Sequence, residues 1–143
     1  MKWKIDDKRR EILNDPARYK IVSSGRRWGK SYFSLMWLLK KPLEENERRW
    51  IVFPTYRQAK MVSWSILKGI FAGKQATINE TELSITLDNG AKIELKGADR
   101  GEDSLRGVST TMVVMDEYAF MKENVWGEVI QPTLAETSGK ALF

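Results

Sequence analysis

The turn Ser24-Gly25-Arg26-Arg27-Trp28-Gly29-Lys30-Ser31 lies between a short apolar segment, Tyr19 to Ser23, and a largely apolar helix-prone segment. The latter runs to Lys40 before Pro42 closes it, and few features constrain a fold more tightly. Glycine lets the backbone curl until successive N–H groups converge on one anion. A helix beginning at Gly29-Lys30 adds the positive end of its dipole. Strand, glycine-rich turn, Gly-Lys-Ser and helix are the parts of a Walker A element in their working order. In that arrangement Lys30 bridges the β- and γ-phosphates of a nucleotide and the Ser31 hydroxyl ligates Mg²⁺. The strict pattern is not met: its first glycine would fall at Ser24, and the glycine present is Gly25. A bare Gly-Lys-Ser at a helix start arises by chance, but the flanking strand and apolar helix argue against chance here. Arg26 and Arg27 make the loop more cationic than phosphates alone require.

A second signature lies 86 residues downstream of Lys30, at Asp116-Glu117. Thr111 to Met115 is a continuous apolar run, suited to a strand buried on both faces. Such a strand delivers the two carboxylates at its C-terminal end, where open parallel sheets bind ligands. Asp116 would hold Mg²⁺ through its water shell; Glu117 would orient the attacking water and accept its proton. Asp-Glu after a strand is common by itself, and gains weight only from the Walker A element upstream. In the loop before this strand, Asp103-Ser104-Leu105-Arg106-Gly107, Arg106 has two readings. It could present a guanidinium to a γ-phosphate, or pair on the surface with Glu102 or Asp103. Spacing alone favours the surface pair.

Composition closes off other chemistries. The chain has no cysteine and no histidine, which excludes disulfide frameworks, His-based zinc sites and every Ser-His or Cys-His nucleophile. An oxygen-ligated metal such as Mg²⁺ remains. The net charge of +5 is unevenly spread. Residues 1–74 carry 18 Lys and Arg against 7 Asp and Glu, a net +11; residues 75–143 carry 6 against 12, a net −6. A basic half suggests a polyanionic partner, nucleic acid before membrane, although a solvated basic surface explains the charge equally well. The start of the chain lacks the apolar core of a signal peptide, and Tyr32 to Leu39 is too short to span a bilayer. The expected setting is the cytoplasm, without a membrane partner.

The remaining pattern reads as one domain over 1–143. Asp6 to Asn14 is a polar helix. Trp50 to Phe53 is a second strand, after a charged loop from Glu44 to Arg49, and a helix from Pro54-Thr55 reaches about Phe71. Ala76 to Asn79 precedes two alternating strands, Leu83 to Leu87 and Ala91 to Leu95, joined by the hairpin turn Asp88-Asn89-Gly90. Gly97 to Val108 is a polar loop. A helix from Asn124 to Leu134 follows the acidic pair, and Ala141 to Phe143 starts another strand. The order β-α-β-α, a β-hairpin insertion, then β-α-β is an α/β fold with a mainly parallel sheet flanked by helices.

Taken together these segments resemble the large subunit of the tailed-phage DNA-packaging terminases. The resemblance rests on Arg18-Tyr19-Lys20 and the Gly-Arg-Arg-Trp-Gly-Lys-Ser loop, on Phe53-Pro-Thr-Tyr-Arg-Gln-Ala-Lys60, and on Lys96-Gly-Ala98. It continues through Ser104-Leu-Arg-Gly107, Val113-Val-Met-Asp-Glu-Tyr-Ala119, Pro132-Thr-Leu-Ala135 and Gly139-Lys-Ala-Leu-Phe143. It implies an ASCE, RecA-like P-loop NTPase that uses ATP and Mg²⁺ and assembles as a homo-oligomeric ring on a portal. Such a motor drives double-stranded DNA into a procapsid in the host cytoplasm, with a small terminase subunit as a further partner. Lys30, Ser31, Asp116 and Glu117 match the family's nucleotide and catalytic positions, within the loop Ser24 to Ser31. Arg106 matches its proposed trans-acting finger, Arg26 or Arg27 the extra Walker A contact that some members use, and Arg18 and Tyr19 lie near where the adenine is expected. For Pro54 to Lys60, a helix cap with a core-facing Ala59 competes with any direct role. The family's Ser/Thr-rich coupling motif and ribonuclease-H-like nuclease domain are not in the sequence. The expectation is an ATPase domain incomplete at its C-terminus, with weak turnover alone. A helicase-like translocase of the Asp-Glu-box type and a nucleotide-binding fragment without turnover are the rival readings.

Overall fold

The computed structural model describes residues 4–25, 27–100 and 102–143. Its sheet is organised around β2 (Arg48–Phe53), the strand with the longest buried run. β2 pairs in parallel with β6 (Met112–Met115) on one side and with β5 (Lys92–Gly97) on the other. β7 (Lys140–Leu142) lies outside β6, and β1 (Tyr19–Lys20) outside β7, both parallel. β4 (Ser84–Leu87) and β3 (Ala76–Asn79) extend the other side antiparallel. The order is therefore β1-β7-β6-β2-β5-β4-β3. One strand, β7, separates the strand feeding the glycine-rich loop from the strand ending at the acidic pair.

Two hydrophobic clusters cover the two faces. Alternate residues of β2 divide between them: Ile51 and Phe53 join one cluster, Trp50 and Val52 the other. The first holds α1 (Asp7–Asn14), α2 (Lys30–Leu38) and the helical rod after β2. The second is closed by Val125 to Leu134 and by Leu105. Because both faces are covered, β2 and β6 need apolar side chains at successive positions, which is why their sequences read as runs rather than alternations.

The structure adjusts several sequence boundaries for physical reasons. β2 begins at Arg48 rather than Trp50, inside what reads as a charged loop. Arg49 is 2% exposed there. Its guanidinium donates to the carbonyls of Leu38 (2.6 Å), Lys41 (2.8 Å) and Pro42 (3.1 Å), capping the end of α2, and it pairs with Glu47. A buried cation is tolerated when its donors are satisfied in this way. The hairpin is not separate from the main sheet, since β5 is β2's parallel neighbour throughout its length. A Cβ at Gly97, the last residue of β5, would collide with the Tyr56 backbone nitrogen, so glycine lets the next helix start close by. The helix after β2 is a rod of three pieces: α3 (Tyr56–Ala59), a π-helical turn (Lys60–Trp64) and α4 (Ser65–Ile70). The C-terminal helix likewise divides into a π-helical Val125–Ile130 and α5 (Gln131–Ala135).

Candidate functional site

The glycine-rich loop leaves β1 and enters α2 through Gly29, whose φ of 83° places it in the left-handed region that glycine adopts without strain. Arg27 also has a positive φ, 66°. The loop is braced at both ends. The Val22 N–H donates to the Phe143 carbonyl at 2.8 Å, tying its start to the end of β7. Near its end, the Arg9 guanidinium of α1 donates to the Trp28 carbonyl and stacks 4.6 Å from the Trp28 ring. That ring meets Phe33 edge-on at 5.1 Å, so α2 holds it too. The Ser24 hydroxyl is buried without a hydrogen-bond partner among the described residues. A buried hydroxyl left unpaired in such a loop calls for a partner, which a bound anion or a water would supply.

The acidic pair stands across from the loop. Asp116 is fixed by its backbone N–H, which donates to the Val52 carbonyl at 2.9 Å. Glu117 follows at φ 52°, a left-handed conformation disfavoured for a side chain with a Cβ. Backbone strain of this kind, of order 1–3 kcal/mol, persists where the surroundings enforce it, and clusters at active sites. Burial, then the neighbouring Glu117 charge, push the Asp116 carboxyl above its usual range; Lys30 acts in the opposite sense.

A cavity of about 360 Å³ is lined by Ser24, Trp28 and Lys30 on the loop side and by Asp116 and Glu117 opposite. A second, of about 110 Å³, is shared by Lys30, Ser31, Asp116, Glu117 and Gln58. Ser31 and Asp116 therefore line one space. Among the described residues no cluster of three or more acidic side chains forms. Two protein oxygens beside a polyphosphate and water suit Mg²⁺, which keeps several waters and shares phosphate oxygens. The donor set fits that ion, and its charge would offset the burial that raises Asp116.

The other sequence-predicted residues fall elsewhere. Gly25 lies in the exposed part of the loop and Arg26 lies outside the described residues. Arg18 donates to the Gly139 carbonyl (2.9 Å) and the Leu134 carbonyl (3.3 Å), holding the end of α5 to β7. Tyr19 packs edge-on against Trp126 at 5.4 Å. Neither lines the two cavities. Arg106 is exposed on the loop before β6, beside Gly107 at φ 79°, and lies outside both cavities. In the Pro54–Lys60 segment, Thr55 caps α3 and Ala59 is fully buried. Gln58, in the same segment, is the residue that sequence reasoning missed. Its Thr-x-x-Gln spacing was legible as a cap, but only the pairing of β2 with β6 brings it to the acidic pair.

A family model for the N-terminal part of the terminase large subunit, T4likevirus-type, matches residues 21–141. The terminase large subunit of Escherichia phage T5 is 31% identical over 140 residues, and that of Thermus virus P23-45 29% over 156 residues. Each alignment covers 92% of this chain and 31% of the relative, so the chain spans about a third of their length. Among solved structures, the Thermus phage P74-26 large terminase ATPase domain superposes with a TM-score of 0.76 at 26% identity. That superposition covers 98% of this chain and 64% of that one. The large terminase of bacteriophage D6E in complex with ADP gives 0.72 at 17% identity, covering 96% and 37%, and speaks to the fold alone. With the family model running over most of its length, this chain belongs to the T4likevirus-type terminase large subunits, within their N-terminal part.

Proposed function

We propose that this chain binds ATP with Mg²⁺ and hydrolyses it, as the motor part of a terminase large subunit that drives double-stranded DNA into a procapsid. The observation that carries this reading is that Lys30 and the Asp116-Glu117 pair, 86 residues apart, line the same cavities. Backbone N–H groups from Ser24 to Lys30 would cradle the phosphates, with Lys30 neutralising charge at the β- and γ-positions. Ser31 and Asp116 would hold Mg²⁺, which when bound supplies charge stabilisation to the transferring phosphoryl oxygens. Glu117 would align a water against the γ-phosphorus and take its proton. Arg106, exposed and outside the cavities, suits delivery to a neighbouring subunit's site in a homo-oligomeric ring, where a guanidinium would offset developing charge. The net +11 of residues 1–74 supports a polyanionic DNA partner. Portal protein, small terminase subunit and a cytoplasmic setting at the procapsid belong to the same proposal, and the family likeness supports them.

The test is nucleotide binding and turnover across three variants. Lys30→Ala should lose both, and Glu117→Ala should keep binding and lose turnover. Arg106→Ala should lose turnover only in the assembled ring. Nucleotide affinity left unchanged by Lys30→Ala would overturn the assignment. Turnover that survives Glu117→Ala would remove Glu117 as the base.

A further inference from the structure

Building on the nucleotide reading proposed above, we infer that Gln58 is a positioning residue that registers the terminal phosphoryl group, or the water attacking it, through its side-chain nitrogen. The fold brings it there in two steps. Val52 of β2 lies opposite Met115 of β6, and the Asp116 N–H donates to the Val52 carbonyl, so the chain leaving β2 emerges beside the acidic pair. Thr55 then caps α3, and Gln58, three residues on, lines the 110 Å³ cavity with Lys30, Ser31, Asp116 and Glu117. At about 30 Å³ per water, that space corresponds to three or four waters, or to a phosphoryl group.

The capping box fixes which end of the amide is available. The Thr55 backbone N–H donates to Gln58 Oε1 at 3.2 Å, and the Thr55 hydroxyl also donates to it, at 3.1 Å. A backbone N–H can only donate, so the oxygen must face Thr55 and the amide cannot be flipped. Among the described residues Nε2 has no hydrogen-bond partner, so the donor end is uncommitted. The cap by itself does not require an amide. Glutamate closes the same box, and a negative charge is favoured at a helix start. In this cavity, however, a glutamate would add a third carboxylate to Asp116 and Glu117 and face the phosphates. Glutamine keeps the cap, supplies two N–H donors and adds no charge. The π-helical turn that follows α3 is the kind of irregularity found at functional sites.

The experiment measures equilibrium binding of Mg·ADP and of a non-hydrolysable Mg·ATP analogue to the 143-residue chain and to Gln58→Glu and Gln58→Met. In both variants the affinity for the ATP analogue is expected to fall at least fivefold while that for ADP stays within twofold. Gln58→Glu keeps the cap but adds a charge, whereas Gln58→Met adds no charge but gives up the cap, so a selective loss of the ATP analogue common to both separates phosphate recognition from folding. The inference is overturned if the ratio of the two affinities stays within twofold of the parent in both variants. It is equally overturned if both nucleotides weaken together, the signature of a purely structural cap. Lys30→Ala run alongside should lose both nucleotides. If it binds them normally, the site reading itself fails, whatever Gln58 does.

Discussion

The loop from Ser24 to Ser31 and the turn at Asp116-Glu117 face each other across one cavity, yet they are held by opposite means. The acidic pair extends a strand of four buried residues, Met112–Met115, bonded on both sides by parallel neighbours. The loop has no ladder of its own and is held by Val22 at one end and by Arg9, through Trp28, at the other. The acidic side is therefore preorganised by the core, and its geometry is inseparable from stability. The loop's shape is set by local backbone conformation and by those two braces, so its exposed residues, Gly25 and Lys30 among them, can be changed with little effect on the fold. Catalytic sites benefit from this division, because donors and carboxylates can be positioned independently before they are joined by a ligand.

Substitutions can break this contrast. Met115→Ala, on the acidic side, should lower stability by about 2–5 kcal/mol, the usual range for emptying a core position, measured by chemical denaturation. Lys30→Ala, on the loop side, should leave that unfolding curve within about 0.5 kcal/mol, as for most exposed positions. It should weaken nucleotide binding by about 2 kcal/mol or more, on the scale of a charge-assisted hydrogen bond. Gly29→Ala should cost roughly 1–2 kcal/mol, because φ 83° suits glycine alone, although a Cβ there would meet nothing closer than the Arg9 guanidinium at 3.8 Å. Gly25→Ala, where a Cβ meets nothing within 4 Å, should sit within about 0.5 kcal/mol of the parent.

The contrast also has a pH signature. Burial and Glu117 raise the Asp116 pKa in the fold above its ordinary 3.8. A carboxyl raised in the native state adds stability below its unfolded pKa and loses it as pH rises through the folded value. Without nucleotide, the parent chain should thus lose stability, relative to Asp116→Asn, as pH rises from 3.8 through the raised value. Mg²⁺-dependent nucleotide binding needs the ionised carboxylate and should run the other way, weakening as pH falls through the same window. Thermal midpoints with and without Mg·nucleotide, taken across that window, measure both arms.

Much of this was legible beforehand, because each feature has a local cause. Gly-Lys-Ser between a strand and an apolar helix, and an apolar run ending in Asp-Glu, need no tertiary information. Asp88-Asn89-Gly90 also marks its turn locally, and Gly90 sits at φ 81°. What was hidden depends on pairing at a distance. Arg48 and Arg49 look like loop residues until the end of α2 supplies the carbonyls that allow Arg49 to be buried. β5 reads as half of a hairpin, and nothing in Lys92 to Gly97 says that its other edge joins β2 in parallel. Gln58 reads as a cap until β2 and β6 are laid side by side. Arg18 and Tyr19, which lie near where the resemblance expects the adenine, are engaged in the structure with α5, β7 and Trp126, contacts that only the folded chain reveals.

The central claim is that a loop and a turn 86 residues apart form one nucleotide site, and a double-mutant cycle tests it most directly. Binding of a non-hydrolysable Mg·ATP analogue would be measured for the parent chain, Lys30→Ala, Asp116→Asn and the double variant. Two residues serving one ligand should be coupled, with the double variant departing from additivity by about 0.5–3 kcal/mol. Losses that simply add, or binding indifferent to either substitution, would contradict a shared site.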